Sequence, residues 1–356
     1  GVRALHRHRS VPLQGQIGML AANALVSGIH ATPDLAEAAV RTALAKASLT
    51  RAGQVILFLT QDFSRHAQAA VLAAARAAGC LQVAGMTASG LLNEDGWQLD
   101  QPAAAALVLG EFDRQPGLAQ PLLSFTGQSR LPYDWVDGGQ RYGLLNQGAS
   151  SWQQSRLAAN TSAEVLLPGL TARPLISRGL RELGDWHTIS DSRGYEVMQL
   201  DRQPASDCLR RALPADDRQR LPLHQVLALV DANRPGIPVL SANADGSLTL
   251  AEPLPIGQRL RWVMRQALAA EQEMQQLMRS AVNPKKPPNF GLMFSCIGRG
   301  PLFYGGEDQD LRAFRGAFPD TPLLGAYGTG QIVPGPAGNQ LFTSAAQTLL
   351  FEDSHV

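Results

Sequence analysis

The chain contains two copies of a strand–loop–helix unit that ends in a glycine-rich segment, and this repeat restricts the folds open to it. In the first copy, the apolar strand 55–59 leads through a polar loop and a helix to the segment 85–90. In the second copy, the strand 291–295 leads in the same order to the segment 325–330. A further apolar strand closes each copy. We therefore predict a mixed α/β fold of two related halves that arose by duplication; the alternative is a chance recurrence of glycine turns.

The two glycine-rich segments share residue types at matched positions. Gly85, Ser89 and Gly90 of the first segment correspond to Gly325, Thr329 and Gly330 of the second. Ligands of open α/β sheets bind beyond the carboxyl ends of the strands, where both segments fall. Glycine allows the backbone to approach a ligand closely, and hydroxyl groups donate or accept hydrogen bonds. The repeat therefore predicts one ligand pocket between the two halves.

Length and composition favour a protein of two domains with substantial cores. The chain has 356 residues, of which 45% are hydrophobic and 17% are charged. We divide it near residue 202, into an N-terminal domain 1–202 and a C-terminal domain 203–356. Helices are predicted at 32–49, 64–78, 204–213, 267–282 and 307–318, and a hairpin at 238–250. The stretch 113–160 is rich in Gly, Pro and Gln, which favours loops or edge strands.

Charge and cysteine content argue against several classes of partner. The net charge is +1, so nucleic acid is not an expected partner. The apolar stretches fall short of the roughly 20 residues that cross a bilayer, so no membrane partner is expected. The basic N-terminal stretch lacks the apolar run of a signal peptide. Three cysteines in no zinc-binding pattern predict a reducing, cytoplasmic compartment and no metal site.

Several segments together resemble the FIST family, whose members combine linked N- and C-terminal domains. The resemblance is carried by 294–300 (FSCIGRG), 322–332 (PLLGAYGTGQI), 79–91 (GCLQVAGMTASGL) and 195–204 (YEVMQLDRQP). These segments fall within a resemblance that extends over about residues 20–352. Gln331 stands where the family has an acidic residue, Arg202 where it has a glycine, and 86–88 departs from the family's usual Cys-Ser-Thr. Two of these departures fall in the expected pocket.

The resemblance implies a sensory function. The family is considered an input module for small ligands, with amino acids among the candidates. The chain would then be a small-molecule receptor, for an amino acid or an organic acid, that signals to a separate protein. Some family members are regarded as haem-based nitric-oxide sensors that regulate a histidine kinase or a cyclic-di-GMP enzyme. That role is the first alternative, and an enzyme that uses Cys296 is the second.

Cys296 and Arg299 are the candidate site residues with the most distinctive chemistry. Cys296 ends an apolar strand, where it either lines the pocket or simply packs. A nucleophilic role lacks a supporting His/Asp pattern, so we do not expect an enzyme. Arg299 lies between two glycines and could hold a carboxylate through two hydrogen bonds. Alternatively, it forms a structural salt bridge to Glu307, Asp308 or Asp310.

The other candidate ligand-binding residues belong to the two repeats. They are Gly325, Tyr327, Thr329 and Gly330 in the second half, and Thr60, Asp62, Thr87 and Ser89 in the first. Tyr327 could stack on a ligand, or it could be a packed tyrosine. Asp62 could cap the helix that follows it instead.

A haem would need an axial ligand, and three histidines are candidates for it. They are His30, His66 and His187. The chain has no Cys-x-x-Cys-His attachment motif, and a lone histidine is more often solvated than bound to a metal. Haem therefore remains an alternative cofactor, and the oligomeric state stays open.

Overall fold

The computed structural model describes residues 19–111 and 121–353, which form six α-helices and four β-sheets. The helices are α1 (Pro33–Ala47), α2 (Ala67–Ala78), α3 (Tyr133–Val136), α4 (Ala205–Ala212), α5 (Ala267–Ala281) and α6 (Gln309–Ala317). The first twelve strands are β1 (Ala21–Ser27), β2 (Gln54–Thr60), β3 (Val83–Ala88), β4 (Gly90–Asn93), β5 (Gly96–Gln98), β6 (Ala103–Leu109), β7 (Leu122–Thr126), β8 (Arg141–Leu145), β9 (Ser151–Gln153), β10 (Arg156–Leu157), β11 (Ser162–Leu166) and β12 (Leu170–Ser177). The remaining strands are β13 (Leu180–Arg193), β14 (Glu196–Leu200), β15 (Gln203–Pro204), β16 (Val226–Leu229), β17 (Ile237–Ala242), β18 (Leu248–Leu250), β19 (Arg259–Arg265), β20 (Phe290–Cys296), β21 (Leu323–Gly328), β22 (Gly330–Gly335), β23 (Gly338–Phe342) and β24 (Ala346–Asp353).

Two six-stranded sheets have the same internal order. One runs β1-β6-β2-β3-β9-β10, and the other runs β12-β24-β20-β21-β4-β5. In each, a parallel pair is joined by a helix, and the first strand of that pair is antiparallel to the closing strand. The mixed α/β class is confirmed, and the order of elements that suggested a duplication is present in the structure.

The two halves exchange hairpins. The hairpin β4–β5 follows β3 but pairs with β21 of the other half. The hairpin β22–β23 follows β21 and pairs with β8, which completes a five-stranded sheet in the order β11-β7-β8-β22-β23. The matched residues Ser89 and Thr329 lie at the two crossing points, each between a strand of one sheet and a strand of another.

The main hydrophobic core lies where three sheets meet. Phe58, Phe125 and Phe294, one from each of these sheets, contact one another edge to face with centroids 5.5–6.2 Å apart. All three rings are fully buried. Aromatic side chains therefore pack tightly where the three sheets meet.

A seven-stranded sheet is inserted between β12 and α5. Its order is β13-β19-β16-β17-β18-β14-β15, and an additional pairing of β13 with β14 closes it on itself. Its core contains Trp262 and receives Leu209 from α4. Residue 202 lies between β14 and β15, inside this sheet, and β12 of the second six-stranded sheet precedes it. The division at residue 202 stays a prediction.

Local chemistry explains where several helices begin and end. Pro33 occupies the first turn of α1, and Gly79 follows α2 in the left-handed conformation with φ 59°. Asp308 caps α6 by accepting hydrogen bonds from the amides of Asp310 and Leu311. The stretch 113–160 differs from expectation, because β7 and β8 lie inside the five-stranded sheet; residues 112–120 are outside the described ranges. Within those ranges no helix combines the length and apolar character needed to span a membrane.

Candidate ligand-binding site

Arg299 forms a buried structural salt bridge. Its Nε lies 3.0 Å from Oδ2 of Asp310, and its Nη2 lies 3.1 Å from Oδ1. Nη1 donates to the Ser177 carbonyl at 2.6 Å, and Nη2 also donates to the Ser177 hydroxyl. Burial opposes the charge, but the Asp310 carboxylate outweighs it, so the pKa of Arg299 is raised. All three guanidinium nitrogens have protein partners, and the structure therefore shows the second of our two interpretations.

Tyr327 is likewise held by the protein. Its hydroxyl donates to Oδ2 of Asp308, and both side chains are buried. Burial, with a smaller effect of the nearby Asp310 carboxylate, raises the pKa of Asp308 to about 6. Burial and the Asp308 carboxylate raise the pKa of Tyr327. Tyr304 joins the same group, because its hydroxyl donates to Asp310 at 2.7 Å. The network connects β21 to the start of α6.

Cys296 lies at the end of β20 and is 8% exposed. Its amide donates to the Ala345 carbonyl at 3.1 Å. Among the described residues, no acid or base is hydrogen-bonded to its thiol. Gln331, which stands where the family has an acidic residue, is fully buried; with its amide oriented to satisfy both ends, it accepts from the Cys296 amide at 3.1 Å and donates to the Ala345 carbonyl at 3.2 Å. These contacts secure the end of β20.

The matched glycines allow close strand pairing. A Cβ atom on Gly85 would lie 1.7 Å from the Leu57 carbonyl oxygen, on the paired strand β2. A Cβ on Gly325 would lie 2.7 Å from the Met293 oxygen, on the paired strand β20. Gly330 is similarly crowded by Leu341. The glycines are therefore required by protein packing.

The candidate hydroxyl residues lie in two regions of the structure. Thr60 and Thr87 are buried and accept from the amides of Ala103 and Ser150, both at 3.0 Å. Ser89 and Thr329 both contact the loop after β8. The Ser89 hydroxyl donates to Asn146 at 3.0 Å, and the Thr329 hydroxyl accepts from the Gln147 amide at 3.2 Å. Asp62 is exposed on a short turn after β2. The candidates therefore occupy several separate environments.

The three candidate haem ligands differ in their exposure and contacts. His30 and His66 are exposed. His187 is half-buried, with Nδ1 2.7 Å from Oδ2 of Asp201. None of the three lines the cleft around Arg178 that is lined by Ile176 and Phe342. Haem binding stays a prediction.

A cleft of about 460 Å³ lies where β12, the β22–β23 hairpin and the seven-stranded sheet meet. Its apolar wall includes Ile176, Val333 and Phe342, which form part of one small cluster. Ala232 and Asn233, from the loop between β16 and β17, form the facing side. The volume lies within the range of small-molecule sites, roughly 300–1,000 Å³.

Arg178 is the only charged residue in the described lining of this cleft. Its guanidinium lies over the Phe342 ring, 4.7 Å from the centroid, and Nη1 donates to the Ala232 carbonyl at 3.1 Å. Burial lowers the pKa of Arg178, and Glu273 partly offsets this. Nε and Nη2 have no hydrogen-bond partner in the described part of the chain. A half-buried fork of this kind is suited to an anion.

Glu273 of α5 holds the backbone on which Arg178 sits. Its Oε1 accepts from the Ser177 hydroxyl at 2.7 Å and from the amides of Arg178 and Gly179 at 2.6 and 3.2 Å. These residues join β12 to β13, so they also connect the six-stranded sheet to the inserted sheet. Arg178 was not predicted from the sequence, because no motif surrounds it. The one available signal was a basic residue directly after β12, between Ser177 and Gly179.

Comparison with known proteins places part of the chain in a family. Residues 205–334 match the model of the FIST C domain. An uncharacterized protein of Mycobacterium tuberculosis is 27% identical over 239 residues, which is 63% of this chain and 62% of the relative. The chain therefore spans less than two thirds of that relative's length. An uncharacterized protein of Mycobacterium bovis is 27% identical over 295 residues, 75% of this chain and 76% of the relative. Human F-box only protein 22 is 41% identical over 64 residues, 18% of this chain and 15% of that protein.

Proposed function

Starting from a chain that belongs to the FIST family through its C domain, we propose that it is a small-molecule sensor whose ligand binds in the Arg178 cleft. FIST C domains belong to a family of sensory domains. The observation that carries the proposal is the Arg178 guanidinium, stacked on Phe342 with two nitrogens lacking protein partners in the described residues. We place the ligand in this cleft, whereas the sequence alone predicted a pocket at the glycine-rich segments.

The ligand is a small organic acid or an amino acid. A carboxylate would accept two parallel hydrogen bonds from Nε and Nη2 of Arg178. The apolar wall around Ile176 and Val333 favours a ligand with a hydrocarbon body. The amides of Gln140 and Gln340 also line the cleft and offer groups that orient the ligand.

Ligand binding would act on the position of the inserted sheet. The cleft has one side on the β22–β23 hairpin and the other on the loop after β16, and Gln340 already donates to the Asn233 carbonyl across it at 2.8 Å. A ligand that contacts both sides favours the arrangement in which they are close. The altered surface would be read by a separate signalling protein.

The cysteines are consistent with a reducing compartment, which the proposal includes. Cys80, Cys208 and Cys296 are free thiols, as is usual for cytoplasmic proteins. Cys296 is buried at a strand end and has no base hydrogen-bonded to it in the described residues. The proposal therefore includes no enzymatic step.

Thermal unfolding with a panel of amino acids and organic acids tests the proposal. A ligand at ~100 times its dissociation constant stabilises the protein by about 2.7 kcal/mol. Arg178→Gln removes the charged fork and should weaken a carboxylate ligand about 10- to 100-fold. Arg65→Gln, at an exposed site away from the cleft, is the matched control. If no compound raises the unfolding temperature, or if Arg178→Gln binds the ligand as tightly as wild type, the proposal fails.

A further inference from the structure

We propose that a second cleft, built on Arg141, binds a neutral polyhydroxylated ligand such as a saccharide. This cleft of about 320 Å³ lies between the turn that contains α3 and the strands β9 and β11. Its lining is almost entirely polar: Gln128, Pro132, Tyr133, Asp134, Trp135, Arg141, Gln153, Asn160, Ser162 and Glu164. It lies outside the FIST C domain and shares no described lining residue with the Arg178 cleft.

Arg141 and Trp135 form a rigid base for the cleft. The Arg141 guanidinium lies over the Trp135 ring, 4.6 Å from its centroid. Nη1 donates to Glu164 at 2.5 Å and to the Ser124 hydroxyl at 3.1 Å. The Nε atom is buried and has no partner in the described residues.

Three amide side chains of the lining are fixed at one end only. Gln153 accepts from the Glu164 amide at 2.9 Å through its oxygen, and Asn160 accepts from the Ser162 amide at 3.2 Å. Gln128 donates from its nitrogen to the Asn160 carbonyl at 3.1 Å. Each amide therefore keeps its other end uncommitted in the described part of the chain. The result is two fixed donors and one fixed acceptor, which bind without a large loss of side-chain entropy.

The charges of the lining favour a neutral ligand. Arg141 is paired with Glu164, and Asp134 adds a second carboxylate. An anion would meet two negative groups against one positive group that already has a partner. Hydroxyl groups, in contrast, both donate and accept, and so match a lining with free groups of both kinds. This balance distinguishes the cleft from the Arg178 site.

Tyr133 supplies an aromatic ring at the rim. It lies on the short helix α3 and is 94% exposed, next to a polar cleft. A ring this exposed gains little from its own protein, while it offers an apolar face for the C–H face of a sugar ring. The aromatic ring therefore suits the C–H face of a sugar, and the fixed amides suit its hydroxyl groups.

The test uses titration of the full chain with glucose, galactose, maltose, cellobiose and myo-inositol at millimolar concentration. Ligand-observed NMR detects binding, and the change in tryptophan fluorescence, to which Trp135 in the cleft contributes, gives the affinity. Asn160→Asp and Gln153→Glu keep the anchoring oxygens and remove the free donors, so the fold is retained. Tyr133→Ala should weaken binding about fivefold, the factor expected for roughly 1 kcal/mol of ring contact. Tyr195→Ala, at another exposed tyrosine, is the control.

The outcomes separate this site from the sensory cleft. We expect at least one neutral compound to bind, the three cleft variants to weaken it, and both Tyr195→Ala and Arg178→Gln to leave it unchanged. Failure of every neutral compound overturns the proposal. It is also overturned if the three cleft variants bind as wild type does, or if glucuronate and sulfate bind here while neutral compounds do not.

Discussion

Arg299 and Asp310 form a bidentate ion pair in the interior of the protein, with side chains that are 1% and 0% exposed. The pair joins the turn after β20 to α6, and the same guanidinium reaches Ser177 at the end of β12. One side chain therefore connects two neighbouring elements to β12, which lies 122 residues earlier in the sequence. A charge in this position is stable only while its partners remain, and its role is to hold the second six-stranded sheet together.

Replacement of Arg299 should destabilise the fold and not merely weaken a ligand. Arg299→Met leaves the Asp310 carboxylate buried without its counterion, and we expect a loss of about 3–5 kcal/mol. The double variant Arg299→Met/Asp310→Leu removes both charges and should recover much of this loss. Urea unfolding followed by circular dichroism measures both effects. A single variant as stable as wild type would contradict the structural role.

The stability of the protein should fall as Asp308 ionises. Burial raises the pKa of Asp308 from 3.8 to about 6, so the folded state binds this proton more tightly than the unfolded state. The resulting stabilisation is complete below 3.8, and it is lost as the pH rises through about 6. The raised pKa corresponds to about 2–3 kcal/mol over that window.

The variant Asp308→Asn isolates this titration from the others. Asparagine retains an oxygen that caps α6 and does not ionise. The difference in unfolding free energy between wild type and Asp308→Asn should therefore change across the window, in favour of the variant as the pH rises. Parallel curves for the two proteins would show that Asp308 does not titrate with a raised pKa.

The matched glycines of the repeat should tolerate no side chain. In Gly85→Ala the new Cβ would lie 1.7 Å from the Leu57 oxygen, so β2 and β3 would have to separate. We expect a loss of at least about 3 kcal/mol, and a smaller loss for Gly325→Ala, where the nearest atoms are 2.7 Å away. Gly139→Ala is the control, since it has no atom within 4 Å. Thermal unfolding of the three proteins ranks them, and equal stabilities would contradict the steric argument.

The repeat was predictable because its signals are local. Apolar strand length, alanine-rich helices and glycine spacing are visible in short windows, and α1 and α5 lie close to their predicted bounds. The exchange of β4–β5 and β22–β23 was not predictable, because the sequence of a hairpin does not specify the sheet with which it pairs. The closed seven-stranded sheet was missed for a similar reason, since β13 pairs with β19 about 80 residues later.

In the candidate site, too, local motifs were predictable and tertiary contacts were not. The residues around Cys296 and Arg299 were found because they form a compact motif, but the motif could not show which acid Arg299 meets. Arg178 was missed because its partners, Phe342 and Ala232, are brought to it by the tertiary structure alone. A side chain whose function depends on distant contacts leaves little trace in its own neighbourhood.

Glu273 should set the balance between stability and ligand affinity at the Arg178 cleft. Its carboxylate accepts three hydrogen bonds from residues 177–179, so Glu273→Gln should cost about 1–3 kcal/mol of stability. The same carboxylate is the charge that partly offsets the lowered pKa of Arg178, and it repels an anion bound there. A carboxylate ligand should therefore bind Glu273→Gln more tightly than wild type, although the variant unfolds more easily. Calorimetric titration measures the ligand affinity, and urea unfolding measures the stability. Glu271→Gln, two residues earlier on α5, is the control. Weaker ligand binding by Glu273→Gln would mean that Glu273 acts by positioning Arg178 and not through its charge.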